Sequence, residues 1–348
     1  MTQAASNLNI ASSKNHPNIK TGKIGILLVN LGTPSELSTS AVRKYLREFL
    51  SDRRVIELHP FFWKPILYGM ILPFRPQKSL HAYQKIWLKN PPESPLRFYT
   101  KEQSRLLSEA FSEKENIVVS YAMRYGMPSL QEQLYDLQAK GCLRIAIMPL
   151  YPQYAASTTA SACDEVFRVL MKMRWQPSLR ICAPYYDDPI YIFALKQGLL
   201  SHLHGIKWKP EAILASFHGL PKNTLDLGDP YSCQCHKTLR LLNESLPASI
   251  PRIMATFQSR FGPKEWLQPY TDKTIKKLAQ EGVKNLAILS PGFSVDCLET
   301  LEEIAIQGKE IFLANGGKNF TMVPCLNSSP ESMQLLKHLA NKTISGWD

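Results

Sequence analysis

The chain has 348 residues, which is enough for one large domain or two domains of medium size with an ample core. Its composition, 44% hydrophobic and 20% charged, is typical of a globular protein, and no segment reaches the roughly 18 apolar residues of a membrane-spanning helix. The formal net charge of +12 favours anionic partners. Nucleic acid is disfavoured among these, because the aromatic residues lie in apolar runs instead of alternating with lysine and arginine.

The beginning of the chain and its cysteines bear on location. Residues 1–21 are polar and lack the apolar core of a secretory signal, so we expect a disordered tail there. The seven cysteines are odd in number and lack the spacing of a disulfide framework. This cysteine usage indicates a reducing compartment.

Short apolar runs alternate with amphipathic stretches along the chain. The runs predict buried strands at 24–31, 117–122, 144–149, 179–183, 212–217, 252–258, 286–290 and 320–323. The stretches predict helices at 41–50, 129–141, 160–174, 189–203, 272–282 and 331–341. This alternation predicts an α/β fold of parallel, doubly wound sheets.

The predicted strands fall into an earlier and a later set. We therefore expect two similar α/β lobes, at 22–183 and 184–326, with a cleft between them. The remaining residues, 327–348, contain a last helix that we expect to pack back on the first lobe.

The most apolar segment, residues 61–74, is rich in aromatic side chains and flanked by cations. Pro65 and Pro73 disfavour one long regular helix here. The composition suits a segment at a membrane interface or at the rim of an apolar pocket. An ordinary core helix with a kinked end is the alternative.

Two of the predicted strands lead into side chains that exchange protons. The run 212–217 ends at His218, and the run 286–290 is followed by Glu299. Ligands bind at the carboxyl ends of strands in open α/β sheets. One such residue alone is more often structural, but two in one chain favour a cleft in which His218 and Glu299 form an acid/base pair.

A line of polar residues follows the second of these strands. We expect a helix to begin near Ser294 or Asp296, and on it Glu299, Glu303 and Gln307 are spaced four residues apart along one face. Such a line can pass protons or hydrated cations out of a cleft. A solvated helix face is the competing interpretation.

Other motifs are less specific. Arg124 suits a carboxylate and Tyr125 a flat ligand, although each such residue is more often part of a core or a cap. The run Cys233-Gln234-Cys235-His236 lacks the usual spacing of a zinc site. The phosphate-binding Gly-Lys-Ser/Thr and Gly-x-Gly-x-x-Gly motifs are absent from the sequence, which disfavours a kinase or a dehydrogenase.

Together these residues resemble the ferrochelatases, which insert ferrous iron into a porphyrin to make haem. The resemblance covers nearly the whole chain, from about Ile24 to about Leu339. It rests on seven motifs in the order of the family: LVNLGTP at 28–34, MRY at 123–125, YPQYAASTT at 151–159, SFHGLP at 216–221, GDPY at 228–231, FQSRFGPKEWL at 257–267 and PGFSVDCLETL at 291–301.

The resemblance implies two Rossmann-like lobes that hold the porphyrin in the cleft. It implies that His218 accepts a pyrrole proton, meets the iron, or does both, while Glu299 faces it across the macrocycle as a second catalytic and metal-contacting group. Glu303 and Gln307 would form a relay for protons or metal behind them. The implied substrate contacts are Leu31, Tyr125, Trp266 and Phe293 to the ring, and Arg75, Ser94 and Arg124 to the propionates.

Several positions depart from the pattern of the family. Cys297 stands where some relatives carry a second histidine, and Gln307 replaces a carboxylate. Ala156 stands where cluster-bearing members place a cysteine, so we expect no iron–sulfur cluster and no cofactor beyond the substrate Fe²⁺. The arginine-poor tail does not suggest organelle import, and we expect a cytoplasmic enzyme of bacterial type.

The resemblance implies insertion of ferrous iron into protoporphyrin IX with release of two protons, the terminal step of haem biosynthesis. Residues 58–78 resemble the family's lip over the porphyrin entrance, so we expect peripheral contact with a membrane through 61–74. The alternatives are a chelatase for coproporphyrin or for another divalent metal, and a non-catalytic two-lobed protein that binds a tetrapyrrole.

Overall fold

A computed structural model describes residues 22–347, so the tail predicted at 1–21 lies outside the described residues. The strands are β1 (Lys23–Gly32), β2 (Ile117–Tyr125), β3 (Cys142–Pro149), β4 (Ser178–Ile181), β5 (Ala212–His218), β6 (Ile253–Gln258), β7 (Asn285–Leu289) and β8 (Asn319–Met322). The α-helices are α1 (Thr39–Leu50), α2 (Pro60–Ile66), α3 (Leu72–Ile86), α4 (Pro95–Ala110), α5 (Leu130–Ala139), α6 (Ser161–Leu170), α7 (Pro189–Gly205), α8 (Asn223–Asp226), α9 (Tyr231–Ser245), α10 (Thr271–Gln280), α11 (Lys309–Ala314) and α12 (Pro330–Ile344). Three π-helical segments are π1 (Leu67–Ile71), π2 (Ala156–Ala160) and π3 (Glu299–Gly308).

The strands form two parallel sheets of four strands each. Their orders are β2-β1-β3-β4 and β6-β5-β7-β8, so the second sheet repeats the topology of the first. All eight predicted strands are present, and the predicted α/β fold with two lobes is confirmed. The central strands β1 and β5 are buried along nearly their whole length, because helices cover both faces of a parallel sheet.

The two sheets share a continuous core. Its largest cluster joins Ile26 and Met148 of the first sheet to Phe217 of the second and to Leu239 of α9. Helix α12 packs on α4, α7, β3 and β4, and Arg180 donates to the carbonyl oxygen of Ser345 at 2.6 Å. The lobe boundaries at 183 and 326 stay predictions.

The apolar segment is helical throughout but not regular. Helices α2 and α3 are joined by π1, and the chain remains helical through both Pro65 and Pro73. A proline cannot donate its backbone hydrogen bond, and a π-turn accommodates such an interruption without ending the helix. Trp63 is buried and its Nε1 donates to the carbonyl oxygen of Leu50 at 2.6 Å, which fastens the segment to α1.

The outer side of this segment is not part of a core. Six large apolar side chains are exposed, so the core-helix alternative is wrong: Phe61, Phe62, Ile66, Tyr68, Met70 and Phe74. Across residues 22–347, no helix is both long enough and apolar enough to cross a membrane.

Candidate active site

The carboxyl ends of β5 and β6 bring His218 beside Gln258. The two residues are register partners in the parallel pair, and the next strand, β7, is followed by the turn that leads to π3. The predicted strand end at His218 is therefore correct. Sheet edges of this kind are where ligands bind in parallel α/β folds.

The orientation of the His218 ring is set by its own turn. Nδ1 lies 2.7 Å from the carbonyl oxygen of Gly219. A carbonyl oxygen only accepts, so Nδ1 carries the proton, and the neutral ring then has its lone pair on Nε2. This nitrogen can take a proton or contact a metal. The ring of Phe293 lies beside it, with 6.5 Å between the ring centroids.

Gly219 holds this turn against the neighbouring strand. Its N–H donates to the carbonyl oxygen of Gln258 at 2.7 Å, and a Cβ at this position would lie 2.6 Å from that oxygen and 3.2 Å from Cε3 of Trp266. No side chain fits there without moving the backbone. The close approach explains the glycine after His218 and fixes the histidine relative to β6.

Glu303 of π3 is held by three donors from the end of β6. Its Oε1 accepts from the Ser259 N–H at 2.7 Å, and its Oε2 accepts from the Ser259 hydroxyl and from Nε2 of Gln258, the latter at 3.2 Å. Ser259 adopts a φ of 63°, a left-handed conformation that is uncommon for a residue other than glycine. Such conformations persist where surrounding contacts enforce them, often at functional sites.

Burial raises the pKa of Glu303, while the Ser259 hydrogen bonds and the nearby His218 oppose that shift. The raised pKa makes this carboxylate a better proton acceptor than an exposed glutamate. Sequence reasoning placed Glu303 in a relay behind Glu299, whereas in the structure Glu303 is near enough to both His218 and Glu299 for their charges to affect its pKa.

A buried chain of hydroxyls orients Gln258. Oε1 of Gln258 accepts from Ser216 at 2.6 Å, and the Ser216 hydroxyl lies 2.9 Å from that of Thr271. With Oε1 turned toward Ser216, Nε2 of Gln258 donates to the backbone oxygen of Glu299 at 2.7 Å and to Glu303. The motif at 257–267 contained these residues, but no local signal gave Gln258 and Ser259 a role.

Glu299 is the first residue of π3 and lines a narrow cavity between the two halves of the molecule. The cavity has a volume of about 10 Å³, the space of about one water molecule, and Leu31, Ser94 and Cys297 also line it. Burial raises the pKa of the Cys297 thiol, and the adjacent Glu299 adds to the shift. Cys297 is therefore a neutral thiol here, whereas metal ligation by cysteine needs the thiolate.

Comparison with known proteins identifies the family. The family model of ferrochelatase matches residues 23–344. The chain belongs to the ferrochelatase family. It is 55% identical over 332 residues to the ferrochelatase of Rhizobium meliloti (strain 1021), covering 95% of this chain and 98% of the relative. It is also 51% identical over 350 residues to the ferrochelatase of Bradyrhizobium sp. (strain BTAi1), covering 100% of both chains.

A solved structure supports the fold. The ferrochelatase aligns with SirB from Bacillus subtilis, solved with Fe³⁺, at a TM-score of 0.56 and 12% identity, covering 93% of this chain and 97% of SirB. At this identity the likeness shows the fold alone. Family membership makes the chain an enzyme that inserts iron into a porphyrin in haem biosynthesis, and it sets aside the alternative of a non-catalytic binding protein.

Two of the predicted substrate contacts, Arg124 and Tyr125, are bonded within the chain. Arg124 pairs with Asp52 at 2.5 Å, and its Nε donates to the carbonyl oxygen and the hydroxyl of Ser161. Tyr125 is 1% exposed, and its hydroxyl also donates to Asp52, at 2.8 Å. Both substrate assignments stay predictions, and the polar groups of Arg124 and Tyr125 are already bonded to Asp52 and Ser161.

Trp266 is also bonded within the chain. It is buried behind the turn of Gly219, and its Nε1 donates to the carbonyl oxygen of Phe261 at 3.0 Å. It packs against the turn of Gly219 that follows His218, and its predicted contact with the macrocycle stays a prediction. Arg75 is exposed and lies over the ring of Phe261 at 5.9 Å, so its predicted propionate contact stays a prediction.

Ser94 and Leu31 stay predictions of the same kind, since both line the Glu299 cavity. Ser94 also caps α4, where its hydroxyl accepts from the Arg97 N–H at 3.3 Å. The start of α4 therefore places Ser94 at the cavity.

The predicted line of Glu299, Glu303 and Gln307 is not continuous. Gln307 is exposed, and its Nε2 donates to Glu302 at 2.7 Å. The helix expected here is π-helical, and its backbone hydrogen bonds join residues five apart, as Glu302 and Gln307 are. The hydrogen bond of Gln307 therefore leads to Glu302 and does not extend a line from Glu299 through Glu303.

The cysteine run on α9 does not converge on a metal. Cys233 is exposed and Cys235 is buried, and His236 lies against Phe257 with 6.1 Å between the ring centroids. Within residues 22–347, no group of three or more His, Cys, Asp and Glu side chains is placed to hold a metal ion.

Proposed function

We propose that this ferrochelatase inserts Fe²⁺ into protoporphyrin IX with His218 as the base that removes pyrrole protons. The observation that carries the proposal is the placement of Nε2 of His218, whose lone pair is left free by the contact of Nδ1 with Gly219. Glu303, held by Ser259 and Gln258, is the second proton acceptor. Glu299 and His218 are the proposed metal contacts.

The reaction releases two protons as Fe²⁺ enters the ring, so the charge of the metal is balanced within the macrocycle. A flat porphyrin turns its nitrogen lone pairs into its own plane, and binding energy that holds the ring bent lowers the barrier. Phe293 and Leu31 are the proposed ring contacts, since both lie beside the acid/base groups.

The number of free cations supports protoporphyrin over coproporphyrin. Of the three predicted propionate contacts, Arg124 is paired with Asp52, so Arg75 is the cation of this set that is not engaged with an acid in residues 22–347. One such cation suits the two propionates of protoporphyrin better than the four of coproporphyrin. We expect faster turnover on protoporphyrin IX than on coproporphyrin in anaerobic assays with Fe²⁺. Faster insertion into coproporphyrin contradicts this choice, and faster insertion of another divalent metal contradicts the choice of iron.

We further propose that the exposed side of residues 61–74 contacts a membrane surface peripherally. The support is the set of large apolar side chains that Trp63 leaves facing outward. The double variant Phe61→Ser and Phe74→Ser should bind lipid vesicles with an affinity at least tenfold lower, as measured by co-sedimentation. The reason is that each phenylalanine side chain buried in the membrane contributes about 1.5–3 kcal/mol.

A matched control is available at the end of α6. Met171, the residue that follows this helix, is 75% exposed, close to the 77% of Phe74, and Phe167 of α6 is also exposed. The double variant Phe167→Ser and Met171→Ser should bind vesicles as the unaltered enzyme does. Equal losses in both double variants would show that binding does not depend on residues 61–74.

We propose that the enzyme is cytoplasmic and works without an iron–sulfur cluster or another resident cofactor. All seven cysteines are free thiols, which fits a reducing compartment. They are spread over separate elements, for example Cys142 in β3, Cys235 in α9 and Cys297 before π3. Acid-labile sulfide in anaerobically purified enzyme would contradict the absence of a cluster.

A further inference from the structure

The helix π3 lies between the two halves of the molecule and is fastened to both. Leu301 and Ile306 pack on the core below residues 61–74, whereas Ile304 packs on the core of the second sheet. The adjacent acids Glu302 and Glu303 also bond to different halves of the molecule. Glu303 is bonded to Ser259 of the second half, and Glu302 is bonded to α3 of the first.

Glu302 is a buried carboxylate with two donors. It is 6% exposed, its Oε1 lies 3.1 Å from Nζ of Lys85, and its Oε2 accepts from Nε2 of Gln307 at 2.7 Å. We name these three residues the Lys85 cluster. Lys85 lies in the last turn of α3, the helix that continues directly from the apolar segment. The cluster therefore joins that segment to the helix that carries Glu299 and Glu303.

We propose that the Lys85 cluster positions π3, so that Lys85, Glu302 and Gln307 set the direction in which Glu299 and Glu303 point. The inference rests on the proposed function of those two carboxylates. In this ion pair the Glu302 carboxylate is buried, whereas Lys85 is exposed. Such a pair adds little net stability, because desolvation of the carboxylate offsets the attraction, and its best-attested use is to fix one arrangement over others. Removing Lys85 takes the charged partner from the buried Glu302 carboxylate, which keeps its bond to Gln307, and this favours a shift of π3 toward solvent.

Gln307, which replaces a carboxylate of the family pattern, is a hydrogen-bond donor in this cluster. An amide donates to Glu302, whereas a carboxylate at position 307 would repel it. The cluster thus pairs one acid, one cation and one amide. None of the three is placed to touch the reacting atoms, so they are positioning residues.

The test compares Lys85→Met with Lys85→Arg and with Lys276→Met, a control at an exposed lysine on α10. We expect Lys85→Met to lower the single-turnover rate of Fe²⁺ insertion at least tenfold, with porphyrin Kd from fluorescence quenching changed less than threefold. Amide exchange across 299–308 should become at least tenfold faster. Lys85→Arg should restore both, and Lys276→Met should match the unaltered enzyme.

If Lys85→Met does not fold, Gln307→Ala tests the same cluster. Gln307 is exposed, so its replacement should not prevent folding. This variant should raise exchange across 299–308 and lower the insertion rate about threefold. The proposal is overturned if Lys85→Met changes neither quantity, or if the rate falls without faster exchange. An unaltered enzyme that binds porphyrin but inserts no iron contradicts the proposed function instead, and the exchange comparison still tests the cluster.

Discussion

Replacement of His218 with alanine is expected to lower kcat for Fe²⁺ insertion about 10³-fold, within the range of 10²–10⁴ that general acid/base groups contribute. The reason is the tautomer: with Nδ1 bonded to Gly219, Nε2 is the free base at this strand end. Porphyrin Kd should change less than threefold, because the ring contacts of Phe293 remain. Anaerobic stopped-flow absorbance of the porphyrin Soret band measures the rate.

Two comparisons make the His218 result specific. His204→Ala, at an exposed histidine near the end of α7, should insert iron as the unaltered enzyme does. Added imidazole should recover part of the rate of His218→Ala, since a small base can occupy the space of the lost ring. A rate for His218→Ala equal to that of the unaltered enzyme removes His218 from the chemistry.

Replacement of Glu303 with glutamine is expected to lower kcat about 10²-fold and to change the pH profile. Burial raises the pKa of Glu303, so the proton stays on this carboxyl to a higher pH than on an ordinary glutamate. Activity that needs the ionised carboxylate therefore falls as the pH drops through this raised value. Glu303→Gln should lose that acid limb, which kcat measured from pH 5 to 8 detects.

The same shift predicts the effect of Glu303→Gln on stability. A carboxyl whose pKa is raised by folding stabilises the protein below its unfolded pKa, and this contribution is lost as the pH rises through the folded pKa. At pH 7–8 the ionised Glu303 is therefore a cost to folding. The Tm of Glu303→Gln relative to the unaltered enzyme should therefore be higher at pH 7–8 than at pH 5, and the same melting curves show whether a slow variant is folded.

Matched substitutions separate Glu303 from its neighbours. Glu310→Gln, on the exposed side of α11, should leave both the rate and the profile unchanged. Glu299→Gln should slow insertion while keeping the acid limb of Glu303. If Glu299→Gln removes that limb and Glu303→Gln does not, Glu299 is the proton acceptor and the assignment is reversed.

The strands could be predicted from the apolar runs of the sequence for a physical reason. Parallel strands covered on both faces need side chains that are apolar at nearly every position, as in the run 212–217 that becomes β5. The residue that ends such a run lies at the ligand-binding edge, so His218 was placed correctly. The aromatic segment 61–74 was also recognisable, because its apolar residues follow one another within one short stretch of chain.

The π-helical conformation of π3 could not be predicted from the sequence in the same way. A period of four along Glu299, Glu303 and Gln307 predicted an α-helix, and the structure has ten π-helical residues instead. The wider turn is imposed by packing between two cores, with Leu301 on one and Ile304 on the other. No property of the ten residues by themselves distinguishes that turn from an α-helix.

The sequence by itself determined the two-sheet α/β fold, the strand end at His218 and the position of the apolar segment, because each depends on hydrophobic patterns within one short stretch of chain. The tertiary structure decided that this segment is exposed and not part of a core. Only the tertiary structure decided the partners of the polar side chains. Arg124 meets an acid 72 residues away, and Lys85 meets one 217 residues away. A charged side chain carries no local mark of its partner, so whether it binds substrate or its own protein depends on which distant group folding brings beside it.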